Sequence, residues 1–178
     1  MSEIINISAP LSEDFVRTLN AGDEVLVNGV IYTARDIAHQ RLCSLIEKSQ
    51  PLPIDLNGAI IYFVGPTPAT QGRPIGAAGP TTSSRMDRFS PMLIKCGLKA
   101  MIGKGYRDSN VADALKQYGA VHLATLGGAG ALLSKHIVSS EIIAYEDLGT
   151  EAIRKLVVKD FPAIVAYDTK GNCVYDKQ

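Results

Sequence analysis

The sequence has little that would commit it to a membrane, a nucleic acid or an oxidising compartment. Its longest apolar run, Ala59 to Val64, falls far short of the roughly 20 residues that a membrane-crossing helix needs. Lysine plus arginine and aspartate plus glutamate number 18 each, for a formal net charge of zero. That leaves no basic footprint for nucleic acid or an anionic membrane surface. Only three cysteines occur, Cys43, Cys96 and Cys173, each more than fifty positions from the next. With no C-x-x-C pair there is neither a disulfide framework nor a self-contained zinc or iron–sulfur site, and each cysteine reads as a small buried apolar residue. The opening "MSEIINISAP" has neither the basic region nor the apolar core of a secretion signal, so the expected compartment is the cytoplasm. Internal repeats, low-complexity tracts and linkers are also missing. Residues 1–178 are therefore expected to form one domain, long enough to bury a core.

What is present is an ordinary soluble composition, 46% apolar and 20% charged, with alternating helix and strand signals. Ser12 before "EDFVRTL" predicts a capped short helix with acids at its positive end. "DEVLVNGVIYTA" predicts a hairpin turning at Asn28-Gly29 between β-branched runs. Ile37, Ala38, Leu42, Leu45 and Ile46 recur with helical period. "GAIIYFVGP" reads as a buried strand, "KAMIGKG" and "AVHLAT" as two more, and "NVADALKQYG" as a helix capped by Ser109. "HIVSSEIIAYEDL" and "PAIVAYDTKGNCVYD" complete the strands, the second as a hairpin around residues 169–172. Hairpins alongside crossovers predict an α/β fold with a mixed sheet.

One stretch stands apart. "GRPIGAAGPTTSSRMDRFSP", residues 72–91, holds three glycines, three prolines, three arginines and a Thr-Thr-Ser-Ser run. Glycine and proline specify a loop's path, while clustered hydroxyls and guanidiniums suit an anion. A helix running from about Thr81 to Cys96 would aim free N–H groups and a positive dipole end at the loop. Arg73 and Arg85 flank that end, Arg35 sits in the first turn of its own helix, and Lys104 stands between Gly103 and Gly105 after a strand. The plain alternative is that Thr81 is only a helix cap and the cations are solvated. A Walker-type loop is excluded, because no G-x-x-x-x-G-K-[ST] occurs. Arg41 reads as snorkelling at the edge of the apolar stripe. His39 either orients Arg35 or is a satisfied or surface histidine, His122 reads as structural, and His136 has no assigned role. The Gly127 to Gly130 turn either walls the site or permits close packing.

Taken together, "YTARDIAHQRL", "VGPTP", "GRPIGAAGPTTSSRMD", "MIGKG" and "LGGAGALLSK" resemble the β-subunit, or C-terminal domain, of class I fumarases. With L-tartrate dehydratase these form the iron–sulfur-dependent hydro-lyases. The resemblance covers about residues 8–175 and implies a swivelling β/β/α domain. It implies reversible hydration of fumarate to L-malate, or the same chemistry on tartrate or another hydroxy-diacid. A non-catalytic anion-binding or assembly module is the alternative of another class. A [4Fe-4S] cluster acting as Lewis acid is implied on a partner α-subunit, in an assembly of two αβ units, with a small dicarboxylate as substrate. By matched motif, Thr81 corresponds to the base that takes a proton from the carbon next to a carboxylate, and Lys104 to a nearby catalytic cation. Arg35 and Arg85 would hold a substrate carboxylate, with Arg73 as a further substrate-binding candidate.

Overall fold

The computed structural model describes residues 3–125 and 129–176. Its strands are β1 (Ile5–Ser8), β2 (Glu24–Thr33), β3 (Ile60–Tyr62), β4 (Ala100–Gly103), β5 (Val121–Ala124), β6 (Ile137–Ala144) and β7 (Ile153–Tyr167). They hydrogen-bond in the order β1-β2-β3-β4-β5-β7-β6, and β2 also pairs with β7. That extra pairing closes the five strands β2, β3, β4, β5 and β7 into a ring, with β1 and β6 attached along its flanks. β2 to β5 run parallel, while β7 is antiparallel to β2, β5 and β6. The sheet is mixed, as expected.

Side chains alternate across a strand, so a closed sheet has an inside and an outside. Val25, Val27, Ile31, Ile60, Tyr62, Ile102, Leu123, Leu156, Phe161 and Val165 fill the inside. Ile61, Phe63, Met101 and Ala166 face outward into a second core. Helices α2 (Asp36–Glu47), α3 (Ser90–Lys95) and α4 (Ser109–Tyr118) cover it with Ala38, Leu42, Leu93, Ile94, Val111 and Leu115. Each fully buried aliphatic or aromatic side chain stabilises by about 1.5–3 kcal/mol relative to exposure. Two short helices, α1 (Glu13–Val16) and α5 (Gly130–Leu133), complete the elements used below. Among the described residues, no helix is long and apolar enough to cross a membrane.

The caps follow local chemistry. Ser12 accepts from the Phe15 N–H at the start of α1, and Gly119 closes α4 in the left-handed conformation. Asp108, not Ser109, caps α4, accepting from the Val111 N–H.

Three other expectations fail. Asn28-Gly29 is not a hairpin turn: β2 runs straight through it and pairs along its length with β7. The register slips between Val27 and Gly29, Gly29 has φ +87°, and Asn28 Oδ1 accepts from the Asp160 N–H at 2.9 Å. The extra residue is on β7, where Lys159 and Asp160 stand opposite Asn28 and Asp160 has φ +50°; this bulge bends a long strand around a ring. The helix expected from Thr81 to Cys96 is broken in two, a 3-10 turn Ser83–Met86 and then α3, ended by Gly97 at φ +111°. Pro91 lies in the first turn of α3, where its missing N–H costs nothing, and could not have sat mid-helix. Cys43 and Cys173 are buried as expected, but Cys96 is exposed.

Candidate functional site

Because β2 to β5 are parallel, their C-terminal ends share one rim of the ring, where ligands of such sheets bind. Arg35 follows β2, Gly65 follows β3, Lys104 follows β4 and Thr125 follows β5. Beyond β3 the chain leaves the sheet, passes through the glycine-rich loop and returns to the same rim. On return the Thr81 N–H donates to the Phe63 carbonyl at 2.7 Å, Thr82 bridges Lys104 in parallel register, and the Ser83 N–H donates to the Lys104 carbonyl at 2.9 Å. The returning segment thus occupies the place beside β4 that a longer β3 would have taken. This corrects the sequence expectation of free N–H groups at Thr81. Both donors are spent, and a four-residue 3-10 turn supplies no comparable dipole.

The loop is braced from both ends. Thr67 Oγ1 accepts from the Ala77 N–H at 2.7 Å, the buried Tyr62 hydroxyl donates to the Ala78 carbonyl, and the Ala78 N–H donates to the Gly130 carbonyl at 3.1 Å. Gly130 lies so close to Gly79 that an added Cβ would stand 2.9 Å from the Gly79 nitrogen, which favours the packing role for that glycine. Leu126, Gly127 and Gly128 of the same turn lie outside the described residues.

Two arginines meet at one carboxylate. Arg85 Nε donates to Asp36 Oδ2 at 3.0 Å and its Nη2 stands 2.8 Å from the same oxygen. Arg35 Nε lies 4.0 Å from Asp36 Oδ1 and 3.6 Å from Glu151 Oε1. Arg35 Nε and Asp36 Oδ1 are both buried without a hydrogen-bond partner among the described residues. The Arg35 side chain crosses Gly65, where any Cβ would lie 2.9 Å from Nη1 and 3.1 Å from Cδ. A side chain at Gly65 would push the guanidinium above it aside. Lys104 is half-buried, and its ammonium has no partner among the described residues.

The rim brings Arg35, Thr81, Arg85 and Lys104 to one edge: Thr81 and Lys104 through the Thr82 bridge, Arg35 and Arg85 through Asp36. Arg73 is exposed in the loop, and no contact among the described residues joins it to the other four. Two cavities, of ≈ 900 and ≈ 310 Å³, lie elsewhere, the larger between α3 and α4. None of the five candidates lines either. Convergent chemistry, not volume, marks the rim.

Beneath the rim lies a polar layer that the sequence did not reveal. Arg107 is buried, with Nε donating to Asp87 Oδ1 at 2.7 Å, Nη2 to Ser90 Oγ at 2.6 Å and Nη1 to His122 Nδ1 at 3.2 Å. A guanidinium only donates, so His122 Nδ1 accepts and its Nε2–H donates to Ser83 Oγ at 3.1 Å. Burial, then the charge of Arg107, hold the His122 pKa well below its ordinary 6.5. His39 is also buried, with its Nδ1–H donating to the Arg35 carbonyl at 2.7 Å. Burial lowers its pKa to about 4, so it is a neutral core residue. Arg41 keeps its guanidinium at the exposed surface, where it grips Asp147 with two hydrogen bonds, 2.9 and 2.6 Å, and lies over the Tyr145 ring. His136 Nδ1 stands 3.1 Å from the Lys159 carbonyl.

Fold and rim together define an α/β domain that carries three cations and a hydroxyl at one edge of a closed mixed sheet. The sequence model of the family described as Fumarase C-terminus matches residues 1–178, and the chain belongs to that family. It is 40% identical over 148 residues to the anaerobic class I fumarate hydratase of Escherichia coli, covering 82% of this chain and 27% of that protein. It is 37% identical over 158 residues to fumarate hydratase 2 of Leishmania major, covering 88% and 28%. A Methanocaldococcus jannaschii protein named L(+)-tartrate dehydratase subunit beta is 37% identical over 173 residues, covering 94% and 89%. The chain therefore spans under a third of these two fumarate hydratases, but nearly all of the tartrate dehydratase subunit.

Proposed function

We propose that this chain is the β-part of an iron–sulfur-dependent hydro-lyase, hydrating fumarate to L-malate reversibly and working with an α-subunit that completes the site. The observation carrying this reading is the convergence of Thr81, Lys104, Arg35 and Arg85 on one rim in a chain of the fumarase family. The Arg35 and Arg85 side chains stay 22% and 49% exposed there, which fits half of a pocket.

Class I fumarases use an iron–sulfur cluster. This chain's residues do not fit one: its three cysteines are far apart in sequence, two of them buried. Among the described residues no group of three or more His, Cys, Asp or Glu side chains could hold a metal ion. We assign the cluster to the α-subunit and derive no step through it here.

On this chain, Arg35 and Arg85 hold one substrate carboxylate, their planes set by Asp36 and by the floor at Gly65. Paired N–H donors orient a carboxylate as well as attract it. Thr81 takes the proton from the carbon next to that carboxylate. A threonine hydroxyl ionises only at high pH, and its own N–H is engaged with Phe63. The cationic side chains must therefore stabilise the alkoxide and the dianionic aci-carboxylate formed as the proton leaves. Lys104, whose backbone bridges the residue after Thr81, would supply part of that charge. Arg73 would act at most from the loop's outer side.

A second reading, tartrate dehydration by the same residues, is favoured by the near full-length match to a tartrate dehydratase β-subunit. Co-expression with the α-subunit and turnover assays on malate, fumarate and tartrate separate the two. The complex is expected to be active and the chain alone inactive. Thr81→Ala is expected to lower kcat by about 10²–10⁴, as loss of a positioned base does. Activity from the chain alone, or a Thr81→Ala complex at full rate, overturns the proposal.

A further inference from the structure

The 3-10 turn that carries Arg85 is fastened at both ends to one buried guanidinium. At its start, Ser83 reaches Arg107 through His122; just past its end, Asp87 binds Arg107 directly. Ser90, the first residue of α3, takes a third donor of the same group, and Asp87 Oδ2 also accepts from the Asp108 N–H at 2.9 Å. Ser83, Ser90 and His122 are wholly buried, and Arg107 is 6% exposed. Above this chain, the Ser83 N–H holds the Lys104 carbonyl. Ser83 Oγ also presses on the end of β4: a Cβ on Gly103 would stand 2.1 Å from it. A single serine, two residues after the proposed base, thus touches the backbone on both sides of the proposed cation.

We propose that Ser83, His122 and Arg107 are positioning residues, a buried hydrogen-bonded chain that holds the backbone bearing Thr81, Arg85 and Lys104 in one arrangement. The role rests on the site reading given above; the pinning itself does not. Arg107 also packs on the Phe63 ring, 5.2 Å from its centroid, and Phe63 supplies the carbonyl that Thr81 binds. The three returning residues 81–83 are therefore held from the β3 side, the β4 side and below. Arg35 is outside this chain of contacts, being set by Asp36, Glu151 and Gly65. Arg85 rides on the pinned turn but stays tied to Asp36 on α2, so loosening the chain must disturb proton transfer more than carboxylate capture.

Two variants test this. Ser83→Ala removes one hydroxyl, and His122→Phe keeps a flat ring while removing both nitrogens. In the full chain, hydrogen exchange is expected to quicken at least about tenfold in peptides covering residues 79–88 and 103–107, with the ring strands unchanged. In the complex with the α-subunit, kcat per assembled complex is expected to fall about tenfold or more, with KM for the dicarboxylate within about twofold. Exchange that is unchanged, or quickened evenly over the whole chain, overturns the pinning. Equal changes in kcat and KM, or none, overturn the positioning role. A Thr81→Ala complex at full rate sinks the site reading instead, and the exchange comparison still decides the pinning.

Discussion

The two cores of this molecule are built on opposite terms. Inside the ring the packed cluster is aliphatic and aromatic, and its tyrosine hydroxyl, on Tyr62, is spent on the Ala78 carbonyl. Outside the ring, beneath α2, α3 and α4, the second core buries His39, Ser83, Asp87, Ser90, Arg107 and His122 among its apolar side chains. Burying a charge is unfavourable unless it is paired and hydrogen-bonded, and a buried ion pair is weak evidence for stability. The inner core explains why the chain folds. The outer one spends part of that stability on holding particular backbone segments in place, and the segments held are those of the rim.

Removing one half of the buried ion pair is the sharpest way to break that contrast. Asp87→Ala leaves the Arg107 guanidinium buried without its carboxylate and is expected to cost about 3–5 kcal/mol in denaturant unfolding. Pairing it with Arg107→Met should recover much of that loss. A double variant no more stable than the single would show that the pair is not the unit we describe.

Between pH 6.5 and 4, acid should act chiefly through the histidines of the outer core. Burial holds the His39 pKa at about 4 against an ordinary 6.5, and His122 moves in the same direction. Unfolded imidazoles take up protons as pH falls below 6.5, while the folded ones resist. Stability is thus full above 6.5 and lost as pH falls toward 4, by on the order of 3 kcal/mol for His39. Urea midpoints across that range should flatten in His39→Leu, since the Arg35 carbonyl keeps the His39 backbone N–H. An equal slope in parent and variant would contradict the assignment.

The inner core should respond to a smaller, purely local change. Tyr62→Phe strips the bond that anchors the loop at Ala78, at about 1–2 kcal/mol, and should quicken exchange in residues 75–80 but not in 103–107. Smallest in stability is Gly65→Ala. Its Cβ meets Arg35, so unfolding should change by less than about 1 kcal/mol. KM for the dicarboxylate should rise about tenfold, the equivalent of ~1.4 kcal/mol. An unchanged KM would mean that Arg35 does not bind substrate from this position.

What could be read from the sequence was what local chemistry decides. Helix α2 declared itself by period, α1 by Ser12 and the end of α4 by Gly119, because caps and stripes act within a few residues. Asn28-Gly29 misled because its flanking strands each found a better partner in β7 than in one another. The first half of β7, from Ile153, escapes the sequence reading: besides β6 it pairs with β2, more than a hundred residues upstream. On the rim, Arg35, Thr81, Arg85 and Lys104 are legible as candidates from motif and loop composition. Arg107 and His122 were not found as supports, because burial and the reach from Asp87 to His122 exist only after folding. Asp87, two residues beyond Arg85 in "SRMD", was the one available hint: an acid following a cluster of arginines.

The closed ring has a consequence for evolution of specificity. A barrel of few strands is too narrow for a lumen and fills with its own side chains, so nothing can be admitted through the middle. Selection on such a frame can act only at its lip, by exchanging what is mounted on strand ends or by altering the surface that faces it from another polypeptide. Two hydro-lyases preferring different diacids are then free to keep an identical interior, and their difference should be sought in the facing subunit before it is sought in this one.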